Sequence, residues 1–120
     1  MEVKSLKQIK ELKGKRVLLR VDFNVPLGKD LKVDRHEDYR LVQTLPTLRH
    51  LMKKQARIII LSHLGRPEGK VVEGLRLDPV AKRLSQLLGK KVEKSNEILG
   101  KETKRKIRNL KNGEVLILEN

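Results

Sequence analysis

The sequence predicts one α/β domain, a partial doubly wound parallel sheet of about four strands with flanking helices. Two observations predict it. Short apolar or β-branched runs alternate with amphipathic stretches in the order strand, helix, strand, helix, strand, helix, strand, the pattern that right-handed crossovers turn into a parallel sheet. The chain is also 120 residues long with 38% hydrophobic and 37% charged residues, which is enough for one core and too apolar for disorder.

The first strand is Arg16 to Val21 (RVLLRV), followed by Asp-Phe-Asn-Val-Pro, so a buried strand enters a loop that Pro26 closes. From Asp38 to Lys54 the apolar residues Leu41, Leu45, Leu48 and Met52 form one helical stripe. Pro46 lies within it; the expectation is a bend there rather than a second helix capped by Thr44. Arg57 to Leu61 (RIIIL) is the most strand-like segment, and it runs directly into Ser62-His63-Leu64-Gly65-Arg66-Pro67.

Asp78 as N-cap, Pro79 at the first helical position, the apolar stripe Val80, Ala81, Leu84, Leu87, Leu88 and then Gly89 delimit the next helix. Lys91 to Lys94 is a weak strand, Lys101 to Leu110 a lysine-rich helix, and Glu114 to Leu118 (EVLIL) a strand. The chain stops at Glu119-Asn120, directly after an apolar strand. The expectation is therefore an incomplete domain, loosened or self-associating through a sheet face left uncovered.

Composition excludes several classes. The absence of cysteine removes disulfides, thiolate zinc sites and cysteine nucleophiles, and fits a reducing cytoplasm. Met1 to Lys4 do not open a signal peptide, and the longest apolar run, Ile58 to Leu61, is too short to span a bilayer, so no membrane association is expected. The formal net charge of +14 favours anionic partners. With Phe23 and Tyr39 as its aromatic residues the chain offers no stacking platform, so specific nucleic-acid binding ranks below a small anion.

In an open parallel sheet ligands gather at the carboxyl ends of the strands, where both motif-bearing loops lie. SHLGRPEGK is not a phosphate loop of the nucleotide-binding kind: Gly65 and Gly69 are one residue too close, and Val71 stands where a hydroxyl would hold magnesium. It does offer the His63 imidazole, the Arg66 guanidinium and the close approach that Gly65 permits, a set suited to a dianion. Standing alone, such a His and Arg are more often surface residues. Asp22 and Asn24 on the first loop are equally at home as turn caps, and Arg40 as a solvated partner of Glu37. The functional reading therefore requires that the three segments meet. His36 and His50 receive no role, no metal site is indicated, and the lysines around Lys4 to Lys15 and Lys101 to Lys111 are read as a solvated surface.

VDFNVP at Val21 to Pro26, Arg40 five residues before LPT at Leu45 to Thr47, LSHLGRP at Leu61 to Pro67, DPVAKRLSQLLG at Asp78 to Gly89 and GEVLILEN at Gly113 to Asn120 together resemble phosphoglycerate kinase, specifically its N-terminal lobe. The likeness runs from about Arg16 to Asn120 with the motifs in order. It departs at Val33 to Tyr39 (VDRHEDY) and at Gln55, where glycine is common. The resemblance implies a cytoplasmic glycolytic enzyme that moves a phosphoryl group between 1,3-bisphosphoglycerate and ADP, giving 3-phosphoglycerate and ATP with magnesium.

It also implies that Asp22, Phe23, Asn24, Arg40, His63, Leu64, Gly65 and Arg66 surround the phosphoglycerate, with Arg40 the catalytic residue acting on the transferring phosphoryl group. Residues 1–120 would then be an incomplete phosphoglycerate-binding domain, inactive alone. The nucleotide domain that binds Mg-ATP or Mg-ADP would be absent, with no cofactor on this piece. Full-length members are usually monomeric.

Overall fold

Every apolar run named above forms a strand, and the strands lie parallel. The computed structural model describes residues 5–66, 68–70 and 72–120; Met1 to Lys4, Pro67 and Val71 of the sequence reading lie outside the described residues. Strands β1 (Arg16–Arg20), β2 (Arg57–Leu61), β3 (Val92–Lys94) and β4 (Val115–Ile117) form one sheet in the order β1-β2-β4-β3. All pairings are parallel, with Leu18 opposite Ile59 and Ile60 opposite Ile117.

The helices are α1 (Tyr39–Lys53), α2 (Asp78–Leu88) and α3 (Lys101–Asn109), and short 3-10 turns occur at Leu6–Gln8 and Glu73–Leu75. Their placement follows from strand order. Crossovers from β1 to β2 and from β2 to β3 move in one direction across the sheet and the return from β3 to β4 in the other. A constant right-handed crossover therefore puts α1 and α2 on one face and α3 on the opposite face. Side-chain alternation along the strands agrees. Ile58, Ile60, Val115 and Ile117 join the α1 and α2 leucines in the main core, while Ile59, Leu116 and Leu118 pack with Leu110 and Ile107 beneath α3.

The main-core face is well filled: Leu41, Leu48 and Leu51 of α1 and Val80 and Leu84 of α2 are fully buried. The α3 face is thinner, and Leu18 of β1 is 64% exposed on it. The sheet is thus doubly wound, as the alternating pattern predicts, but unequally covered.

One local expectation, the Asp78 cap, is corrected. Helix α1 continues through Pro46 as one element, as expected, and no second helix starts at Thr44, which instead donates its hydroxyl to Arg40 O at 3.1 Å. Pro46 lies on the exposed side of α1, where water can satisfy the carbonyl that loses its intrahelical donor. Asp78 is not the N-cap of α2; Leu77 is, and the Asp78 carboxylate accepts from Lys94 Nζ at 2.7 Å. Lys94, outside the two lysine-rich stretches read as a solvated surface, is buried to 7% side-chain exposure between Asp78 and Glu119. The Gly89 C-cap stands as expected, at φ 70°.

Candidate functional site

The loop after β1 begins with Asp22, whose Oδ1 accepts the Asn24 N–H at 3.1 Å, the Asx turn that this spacing favours. Phe23 is fully buried in the core, which leaves Asp22 and Asn24 on either side facing the rim. The loop then closes as a small hairpin, with Leu27 bridging Val33 and Gly28 N–H donating to Lys32 O at 2.9 Å, and so delivers the chain to α1.

Arg40 sits in the first turn of α1. Its Nη1 donates to Asp22 Oδ1 at 2.9 Å and to Asn24 O at 2.9 Å, so the partner is Asp22 of the neighbouring loop and not Glu37 of its own segment. Among the described residues its Nε and Nη2 donate to no protein group, which leaves one edge of the guanidinium for a ligand. The start of α1 is held by a second pair: Arg83 of α2 donates through Nε to Asp38 Oδ2 at 2.8 Å, and its Nη2 lies 2.8 Å from the same oxygen. That grip lies two residues from Arg40.

The loop after β2 is stitched to the first loop by two bonds. Ser62 Oγ accepts the Phe23 N–H at 2.9 Å, and Asn24 Oδ1 accepts the Gly65 N–H at 2.9 Å. Gly65 has φ +61°, a conformation that favours glycine, and a β-carbon there would push on the Leu75 side-chain end 2.9 Å away. Leu64 is buried in the core between the exposed His63 and Arg66.

The Asp22 carboxyl is held below its ordinary value. The Asn24 N–H is the main cause, the Arg40 guanidinium and the His63 imidazole add to it, and partial desolvation opposes it. Asp22 therefore feels both loops and the helix at once. The structure brings together Asp22, Asn24, Arg40 and Gly65 by direct contact and His63 by its field. Phe23 and Leu64 point into the core beneath the rim. Arg66 is exposed at the loop's far end, held by no hydrogen bond or ion pair among the described residues.

Sequence reasoning missed four residues that hold this arrangement. Ser62 and Asn120 lay inside quoted motifs with no role given. Asp38 and Glu119 carry no local signal, because their partners are 45 and 43 residues away. Glu119 is 3% exposed and accepts from the Leu77 N–H at 3.0 Å, from Arg76 at 2.8 Å and from Lys94. Burial alone would raise its carboxyl, but the Lys94 ammonium and the N–H groups of Asn120 and Leu77 outweigh that and hold it below the usual carboxylate value.

Comparison with known proteins follows the same residues. The family model described as phosphoglycerate kinase matches residues 6–120. A phosphoglycerate kinase of Dictyoglomus turgidum is 56% identical over 110 residues, covering 92% of this chain and 27% of that protein. One from Prochlorococcus marinus is 48% identical over 112 residues, covering 93% of this chain and 27% of that protein. Among solved structures, phosphoglycerate kinase from Pyrococcus horikoshii superposes with a TM-score of 0.83 at 38% identity, over 96% of this chain and 27% of that one. The enzyme from Coxiella burnetii gives 0.79 at 36% identity. The chain thus spans about 27% of the length of these curated relatives.

Proposed function

The chain belongs to the phosphoglycerate kinase family, and from that premise we propose that its rim binds the phosphoglycerate substrate of that cytoplasmic glycolytic reaction. The reaction moves a phosphoryl group between 1,3-bisphosphoglycerate and ADP, giving 3-phosphoglycerate and ATP. The observation that carries the reading is the meeting of three segments at the carboxyl ends of β1 and β2. Arg40 touches Asp22 and Asn24, and Asn24 touches Gly65.

In this reading Arg40 is the catalytic residue. Phosphoryl transfer asks the protein mainly for positioning and for compensation of charge on the equatorial oxygens. A guanidinium pinned through Nη1 keeps its outer edge in a fixed direction, so it meets that charge without reorganising. Arg66 supplies a cation and the His63 imidazole a hydrogen-bonding group for the ligand's anionic groups, and Asn24 and Gly65 set its orientation. Phe23 and Leu64 shape the rim from below.

The rim does not fit a divalent cation. Asp22 is its carboxylate, that carboxylate is committed to Arg40 and the Asn24 N–H, and the neighbours are cationic. Among the described residues no cluster of three or more His, Cys, Asp or Glu could hold a metal. Magnesium and ATP or ADP therefore belong, in this proposal, to parts of the longer relatives that the chain does not span, and phosphoryl transfer requires those parts.

The test is a titration with 3-phosphoglycerate followed by amide NMR. The expected result is a weak, saturable shift of the Asp22, Asn24, Arg40, His63, Gly65 and Arg66 resonances, lost in Arg40→Ala. Shifts centred on another surface, or a response that Arg40→Ala leaves intact, would overturn the reading. Polyanionic DNA that competes with 3-phosphoglycerate only at low salt marks the contribution of the +14 net charge rather than of the site.

A further inference from the structure

The peptide unit that joins Leu64 to Gly65 is gripped at both ends by carboxamides that follow different strands, Asn24 after β1 and Asn120 after β4. Its N–H donates to Asn24 Oδ1 at 2.9 Å, and its carbonyl accepts from Asn120 Nδ2 at 2.7 Å. A peptide plane held at one end still rotates about that bond; held at both, it is fixed. The residues on either side of this plane are His63 and Arg66, so its orientation sets where both side chains start from. The second N–H of the same Asn120 amide donates to Leu75 O at 2.8 Å, and the Leu75 side chain packs against Gly65. One side chain thus fixes the loop and the segment that supports it.

The base from which Asn120 reaches is itself rigid. Its own N–H donates to Glu119 Oε1 at 2.9 Å, and Glu119 is buried among the Leu77 N–H, Arg76 and Lys94. We propose that Asn120 is a positioning residue for the phosphoglycerate site: from the carboxyl end of β4 it aims the His63–Arg66 loop without touching the ligand. This rests on the functional reading above and adds to it a residue that the motif-bearing loops do not contain.

The experiment compares the unaltered chain with Asn120→Ala, Asn120→Leu and a control, Ser85→Ala. Ser85 joins α2 to the Val92 N–H, away from the rim, so its loss lowers stability without touching the loop. Three quantities are read: hydrogen exchange of the Gly65 amide, affinity for 3-phosphoglycerate, and the urea midpoint. Both Asn120 variants should speed Gly65 exchange and weaken 3-phosphoglycerate by roughly tenfold, about one hydrogen bond's net contribution. Ser85→Ala should lower the urea midpoint while leaving the other two unchanged.

Should both Asn120 variants fail to fold, the unaltered chain still decides the matter. Because coupling is reciprocal, saturating 3-phosphoglycerate should slow Gly65 exchange and shift the Asn120 side-chain NH2 resonances, and their silence would overturn the inference. Unchanged Gly65 exchange or unchanged affinity in a folded Asn120 variant would also overturn it. If the unaltered chain does not respond to 3-phosphoglycerate, the functional reading of the rim falls. Faster Gly65 exchange in the variants then still supports Asn120 as the residue that positions the loop, and unchanged exchange overturns that too.

Discussion

Two carboxylate–cation assemblies occupy the same end of the sheet and differ in almost every physical respect. At the rim, Asp22 and Arg40 meet at 2.9 Å with side chains 59% and 47% exposed. At the end of β4, Glu119 meets Lys94 and Arg76 with 1%, 7% and 27% of their side chains exposed. Water screens the first pair, which contributes little to stability and leaves the outer edge of Arg40 open to solvent. The second has exchanged water for protein donors and is costly to leave half-formed. The same pairing chemistry is thus left open to water in one place and closed on the backbone in the other, and burial decides which.

The sharpest way to break that contrast is to remove the buried acceptor. Glu119→Ala leaves Lys94 with Asp78 alone and takes the partner from the Leu77 N–H. Removing one partner of a buried ion pair costs about 3–5 kcal/mol, so urea unfolding should show a loss of that size or an unfolded chain. A loss below about 1 kcal/mol would place Glu119 in the same class as Asp22.

Acid should reach the same assembly more gently. The folded-state pKa of Glu119 is depressed, so its contribution is fully present above the unfolded value near 4.5 and is lost as pH falls through the lower folded value. Stability should therefore decline on acidification below about pH 4.5, and the decline should be shallower in Glu119→Ala. Equal slopes in the two chains would remove Glu119 as a cause.

An intermediate case tests whether burial is the governing variable. Asp38 and Arg83 have 10% and 18% side-chain exposure, between the two extremes. Asp38→Asn retains the shape but loses the charge, and the expected cost is about 1.5–3 kcal/mol by urea titration. Because Asp38 fixes the start of α1, this variant should also loosen Arg40. A cost as small as that at Asp22 would mean that exposure does not order the three pairs.

How much of this was legible in the sequence follows from how far apart the partners lie. β2 could be read to the residue because Ile58 to Ile60 is a β-branched run bounded by polar residues. The rim was legible too, because Asp22, Asn24 and Gly65 lie in short motifs at strand ends and a parallel sheet brings strand ends together. Asp78 was misread because an acidic residue before Pro79 looks like a cap, and nothing local shows that Lys94 on β3 claims it. Gln55 adopts φ 60°, which gives a physical reason for glycine to be common there and for Gln55 to be a strained exception. What could not be read is the buried assembly around Glu119, because its members come from the α2 approach, β3 and β4 and acquire meaning only once the sheet exists.

The smallest stability effect is expected at the half-exposed rim pair. Asp22→Asn keeps an oxygen to accept the Asn24 N–H but removes the charge that holds Arg40 Nη1. Both side chains are half-exposed, so the urea midpoint should move by less than about 1 kcal/mol. The guanidinium would then be tethered by Asn24 O alone, and its outer edge would no longer be held toward the rim. Affinity for 3-phosphoglycerate should change for two opposed reasons: losing a carboxylate favours an anion, and losing Arg40's orientation disfavours it. Salt separates them, because the through-space charge effect fades once the screening length shortens to about 3 Å near 1 M salt, whereas the lost orientation persists. A variant that binds more weakly than the unaltered chain at high salt would show that Asp22 serves the site by aiming Arg40. One that binds equally well there would show that the pair is incidental to the ligand.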